Sequence, residues 1–362
     1  MNKLFLFLAF LLFFTSCDHN STTVDRILRL EDFTEVTTPY KVTKIIPLET
    51  RSDNLFGEFM VVRMSEEHIY IYDENARNAI HRFDREGNYI NVAATVGEGP
   101  NSLKNISDFH VSDAGLEVLE TMGDISNIHI FNENGQLIKT IEASYLAFSF
   151  SKLGDGNYVL YGGFNLPLIE NRVVKVMPTG EITDTYLPNR YTGQLLPLQE
   201  KNFNWSENNL YFHEAFTPAV FTLSDSLETV LRFDFGRYAI PDRYFEMDWM
   251  EGFEMINSQG FAVIADYFRS GKFQFIGVDL QDENGRNRNH LLWDGQQGTK
   301  RVCSPTQLSA FQYPVAVIGD KLIFIAQAAH LLELEPNGLP EEAQDLDPDD
   351  NPVLVFVDLS DT

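Results

Sequence analysis

The chain repeats itself, and the repeat limits what it can fold into. Phe83-Asp84-Arg85-Glu86-Gly87-Asn88-Tyr89-Ile90 is echoed by Phe131-Asn132-Glu133-Asn134-Gly135-Gln136-Leu137-Ile138, and more loosely by Val176-Met177-Pro178-Thr179-Gly180-Glu181-Ile182. Each copy runs from an apolar strand end, through a polar hairpin containing glycine, into a new apolar strand. Glycine supplies the positive φ that such a hairpin needs. Around these copies the chain reads as short alternating runs, such as His68-Ile69-Tyr70-Ile71-Tyr72, broken by Gly, Asn, Asp and Pro. That pattern is all-β.

A small sheet that cannot cover its own faces is stable when copies stack in a ring, so a four-stranded unit recurring at this spacing predicts a β-propeller. Innermost strands are expected at 61–64, 109–112, 148–152, 203–206, 253–257 and 315–318, and blades at 55–96, 104–143, 145–188, 198–236, 250–295 and 310–359. The last blade shows only three strands. The alternating run Val42, Ile45, Ile46, Leu48 near the N-terminus is free to supply the fourth. The expectation is therefore a single six-bladed propeller over 41–362, closed by pairing of an N-terminal strand with the C-terminal blade, which removes the exposed edges an open array would carry.

The N-terminus speaks to location. Lys3 precedes an uncharged apolar run from Leu4 to Phe14, too short to span a bilayer and of the right length for a signal peptide. Phe14-Thr15-Ser16-Cys17 resembles a relaxed lipobox. Residues 1–16 are thus expected to be a lipoprotein signal peptide, Cys17 to be acylated, and 17–40 to be a tether to the cell envelope at the outer membrane. The only other cysteine is Cys303, so the fold is expected without a disulfide.

The chain is similar to the six-bladed β-propeller lipoproteins of Gram-negative bacteria, relatives of the NHL-repeat propellers. The likeness rests on Ile45-Ile46-Pro47-Leu48-Glu49-Thr50, Tyr70-Ile71-Tyr72-Asp73, Phe83-Asp84-Arg85-Glu86-Gly87, Gly97-Glu98-Gly99-Pro100 and Asn351-Pro352-Val353-Leu354-Val355. It implies architecture and an envelope location, and carries no shared catalytic set. After Gly97-Glu98-Gly99-Pro100 the family has Gly-Glu and an aromatic, where this chain has Asn101-Ser102-Leu103.

Charge excludes one class of partner. The 53 acidic against 27 basic residues leave a formal net charge of −26, and no Lys/Arg stripe is present to release counterions from a nucleic acid. No Gly-x-Ser-x-Gly occurs, the histidines form no motif, and Gly97-Glu98-Gly99-Pro100 lacks the lysine and following helix of a phosphate loop, so it reads as a turn between blades.

Three groups of residues could carry a site. The acidic run Glu341 to Asn351 offers oxygens at alternate positions but lacks the glycine and distal glutamate of a calcium loop, so it reads as a solvated insertion. Lactonase-type propellers hold calcium on channel-facing strands with Glu, Asn and Asp. That likeness implies Asp108, Asn204, Glu254 and Asn257 here, with calcium as the candidate cofactor. The segment 238–252, with Tyr244, Phe245 and Trp249, is expected to cap the entrance between two blades and expose aromatics to a glycan or envelope protein. The reading these support is a monomeric binding propeller with no catalytic residue assigned. Its alternative is a metal-dependent hydrolase or lyase in the central channel.

Overall fold

The computed structural model describes residues 27–36, 40–76, 78–99, 101–112, 115–166, 168–192, 200–294, 299–302, 310–334 and 339–359. Six small sheets form a closed ring. From the channel outward, blade one is Met60–Met64, His68–Asp73, Ala79–Asp84 and Tyr89–Thr95. Blade two is Asp108–Ser112, Gly115–Met122, Ile125–Phe131 and Leu137–Ala143. Blade three is Ser149–Lys152, Tyr158–Tyr161, Asn171–Val176 and Ile182–Pro188. Blade four is Phe203–Ser206, Asn209–His213, Ala219–Leu223 and Leu227–Asp234. Blade five is Phe261–Ser270, Phe273–Asp282, Gly285–Trp293 and Thr299–Val302. Blade six is Tyr313–Ile318, Lys321–Ala326 and Val353–Asp358, completed on its outer edge by Val42–Pro47. The closing strand runs antiparallel to its partner, with Ile46 opposite Leu354 and Ile45 opposite Val355, as expected.

Strand alternation explains why the ring holds. In His68–Asp73, Ile69 and Ile71 face blade six, while Tyr70 and Tyr72 face blade two. Successive side chains point to opposite faces, so one strand feeds two cores. An apolar cluster fills each of the six junctions between neighbouring blades.

The repeated hairpins dock one blade on the last. Gly87 has φ of 91°, and a Cβ there would lie 2.1 Å from the carbonyl oxygen of Pro47 in blade six. Gly180 has φ of 90°, and its Cβ would lie 1.9 Å from the carbonyl oxygen of Glu142 in blade two. Glycine is required twice over at each position, for the turn and for the close approach of the neighbouring backbone. The turn expected at Gly97 is also present, with the Gly97 amide donating to the Leu103 carbonyl and Ser102 to Gly99. Pro100 lies outside the described residues.

Two expectations are corrected. Residues 253–257 are not an inner strand. They belong to the helix Trp249–Gln259, which starts at Asp248, whose side chain accepts from the Met250 amide, and is followed by Gly260 at φ 78°. The inner strand of blade five is Phe261–Ser270, so that blade begins later than expected. Nor do residues 27–36 hang free as part of a tether. Ile27–Arg29 adds in parallel to the outer strand of blade four, and Thr34–Val36 in parallel to the outer strand of blade five. Leu28 and Phe33, 2% and 6% exposed, sink into the core between those blades. The segment is a strap across two blade edges.

Candidate functional site

The six inner strands contact one another in sequence around a central channel. One mouth is lined from all six inner strands and the other from those of blades one, four, five and six, with Arg63, Asn204 and Val315 shared by both at the waist.

The first mouth opens into a cavity of about 350 Å³. Arg63, on the inner strand of blade one, donates through Nη1 to the Val62 carbonyl at 3.2 Å and faces Asp108 Oδ1 through Nη2 at 3.5 Å. Asp108 is buried, and also accepts from the backbone amides of Phe109 and Phe150 at 2.9 and 3.2 Å. Lys152, last in the inner strand of blade three, donates to Glu117 Oε1 at 2.6 Å. Between these cations lies His110, its ring edge-on to Phe150. Burial pushes its pKa down to about 3, with Arg63 and Lys152 acting in the same direction, so it is a neutral imidazole at physiological pH. Trp205 donates through Nε1 to Ser151 Oγ at 2.9 Å and leaves its ring 37% exposed. Among the described residues lining this mouth none is Asp or Glu.

The second mouth, of about 250 Å³, has the opposite character, with Glu58, Glu74 and Asp266 in its lining beside Lys201, Phe59 and Tyr313. Lys201 sits 3.5 Å from Glu74 and donates to the Ser107 carbonyl. Asp266 is placed by a break in strand register between Ile264 and Asp266, opposite Gly277. Such bulges re-aim side chains. Arg288 Nη1 is 3.1 Å from Asp266, while the same guanidinium holds Asp279 at 2.8 and 3.0 Å. Burial raises the Asp266 carboxyl to about 6 despite Arg288.

A third polar group lies buried near the junction of blades three and four. Arg172 grips Glu214 in a bidentate pair, Nε to Oε2 at 2.9 Å and Nη2 to Oε1 at 2.8 Å, and packs over Phe164. Nearby, Glu200 accepts from Tyr161 Oη and from the Ala215 amide, and burial raises its pKa to about 7.

The expected site residues are dispersed. Asp108 and Asn204 do lie on inner strands, but Glu254 and Asn257 are carried by the helix Trp249–Gln259 and not by a channel strand. The four therefore do not form one ligand set. Among the described residues no three His, Cys, Asp or Glu side chains are grouped as a metal site would require. Tyr244 and Phe245 are 1% and 3% exposed, and Trp249 packs on the same cluster with Phe164, Tyr191, Phe216 and Ile256. The aromatic platform expected here faces inward, because it is the core that holds the helix down. In the acidic run, Asp347 and Asp350 cap their own turn, Asp350 accepts from Thr50 Oγ1, and Asn351 is buried against Glu49 and Asn54. Cys17 and Cys303 lie outside the described residues. Sequence reasoning passed over Arg63, Lys152 and Asp266. The available signal was polar residues on strands that otherwise run apolar into the channel.

Fold and channel together define a six-bladed β-propeller with a channel cationic at one mouth and acidic at the other. The chain belongs to the family described as Domain of unknown function (DUF4934), whose model matches residues 34–358. A candidate exported protein of Bacteroides fragilis NCTC 9343 shares the fold at a TM-score of 0.73 and 14% identity, over 91% of this chain and 98% of that one. A protein of unknown function from Bacteroides caccae aligns at a TM-score of 0.41 and 13% identity, over 67% and 79% of the two chains. A catalytically inactive virginiamycin B lyase from Staphylococcus aureus with quinupristin aligns at a TM-score of 0.43 and 12% identity, over 87% and 99%. No curated protein matches the chain. Among the described residues no helix is long and apolar enough to cross a membrane.

Proposed function

We propose that this protein is a ligand-binding propeller of the bacterial cell envelope, anchored through acylated Cys17 after removal of residues 1–16, and that a small ligand enters the cationic mouth of the channel. The charged n-region and apolar run at the N-terminus support export, as does the likeness to a candidate exported protein. One observation carries the binding site. Arg63 and Lys152 present charge, Trp205 an exposed ring and His110 a neutral imidazole to one concave cavity with no carboxylate among its described lining residues. Apolar walls with a few convergent polar groups are the usual form of a small-molecule site.

The alternative, a metal-dependent hydrolase or lyase, needs oxygen ligands converging from several inner strands. Asp108 is committed to Arg63 and two backbone amides, and Glu254 and Asn257 sit on a helix, so the residues favour binding.

The test is tryptophan fluorescence of the purified mature protein against a panel of monosaccharides, amino acids and organic acids, with Trp205→Phe as the reference. A saturable change present in the wild type and absent from the variant supports the site. Ligands that bind equally well with no Trp205-dependent signal would place binding elsewhere.

A further inference from the structure

We infer that the cationic mouth takes a carboxylate carried on a ring, an inference that rests on this mouth being the binding site. The first argument is the distribution of charge. In a chain of net charge −26 the described lining residues include two cations and no acid. Their counter-ions are set behind them: Asp108 and Glu117 side chains are 1% and 3% exposed, against 23% for Arg63 and 29% for Lys152. An entering molecule therefore meets the cations and not the carboxylates. The two acids balance the two cations, which limits the cost of burying the positive groups.

The second argument is a count of donors. A guanidinium has five N–H groups and an ammonium three. Arg63 gives one to the Val62 carbonyl and faces Asp108 at a long 3.5 Å, while Lys152 gives one to Glu117. Donors remain on both, and the planar fork of arginine matches a carboxylate in two parallel bonds. Asn204 adds polar atoms at the waist, and neutral His110 adds a donor and an acceptor without a third positive charge.

The third argument is the apolar part of the lining. Trp205, Phe150, Phe203, Phe268 and Val315 offer an apolar surface in the same cavity. A bare anion would leave that surface wet, whereas a ring bearing the carboxylate covers it and places its charge on Arg63 and Lys152. Such a ring is either an apolar ring acid or an acidic sugar, and the two sources are separable by experiment.

The experiment is calorimetric titration of the purified mature protein with cyclohexanecarboxylate and its amide, and with glucuronate and glucose. We expect one of the acids to bind, its uncharged counterpart to bind about tenfold or more weakly, and Lys152→Gln with Glu117→Gln, which removes the buried acid's charge together with its partner's, to lose about tenfold while Lys152→Arg retains binding. Removing Arg63 alone would orphan buried Asp108, so the paired variant Arg63→Gln with Asp108→Asn is used. It removes both charges together, and is expected to lose the preference for the acid. Equal binding of acid and uncharged counterpart, displaced with Trp205→Phe, would keep the mouth as the site and overturn the carboxylate. Binding of none of the four probes would overturn the carboxylate, and absence of a Trp205-dependent signal across the wider panel would remove the mouth as a site as well.

Discussion

Asp266 and Gly277 stand opposite each other in register on the two innermost strands of blade five, and a Cβ on Gly277 would come within 2.6 Å of Asp266 Oδ2. The glycine is the space into which the carboxylate fits. Gly277→Ala is expected to destabilise the fold by about 1–3 kcal/mol, the cost of forcing atoms into a packed site. In an Asp266→Ala background the same substitution should cost less, because the shortest contact, to Oδ2, is gone and only the 3.1 Å approach to the Cβ of residue 266 remains. Urea unfolding of the four proteins checks this. Equal penalties in both backgrounds would mean that the carboxylate does not occupy that space.

Glu200 predicts a pH dependence. Its carboxyl is raised from an ordinary 4.5 to about 7, chiefly by burial. Between those values the native state holds a proton that the unfolded chain has released, so this stabilisation is full below about pH 4.5 and is lost as pH rises through 7. Glu200→Gln should match the wild type near pH 4 and exceed it at pH 8. The difference should grow by at most about 1.4 kcal/mol per pH unit, the limit for one proton. Unfolding free energies measured from pH 4 to 8 test it, and a variant less stable at pH 8 would contradict it.

The histidines act in the opposite direction. His110, His213 and His290 are pushed down from 6.5 to about 3, 4 and 3 by burial, so their contribution is present above about pH 6.5 and lost as pH falls. His213 is buried with neither ring nitrogen hydrogen-bonded. His213→Leu removes two unsatisfied polar atoms along with the titration. It should leave stability at pH 7.5 unchanged or higher and reduce the loss on going to pH 4.5, which melting curves at the two pH values will show.

The strap makes a fourth case. Phe33 stacks on Phe233 with centroids 6.3 Å apart and is buried between blades four and five. Phe33→Ala is expected to cost about 3–5 kcal/mol. Hydrogen exchange should rise first in Leu227–Asp234, the strand that Ile27–Arg29 covers. A loss spread evenly over all six blades would argue against a local role.

Much of this fold was legible because its repeat is written in backbone chemistry. Gly87, Gly135 and Gly180 mark hairpins at corresponding places in three blades, and the missing strand of blade six had one alternating run available to fill it. Blade five was misread because Phe253 and Met255, two apart across Glu254, alternate as strand residues do. Asp248, with Glu251 three residues on, was the helix-start signal that outweighs them. The site was less legible for a different reason. Arg63, Lys152 and Trp205 come from three blades, and nothing local in sequence marks them as neighbours. Their meeting is a product of ring closure. Tyr244 and Phe245 misled in the reverse sense, since aromatic density on a loop indicates its own small core as readily as an exposed platform.

The strap also sets a leash. With residues 27–36 committed to the rims of blades four and five, only residues 18–26 separate Cys17 from the folded ring. At up to roughly 3.5 Å per residue that is a reach of about 30 Å. On the proposal that Cys17 carries lipid, the disc is moored by its rim, at blade four, and close to the bilayer. The attachment is on the outer edge of blade four, away from the inner strands that line the channel, so the leash leaves from neither opening.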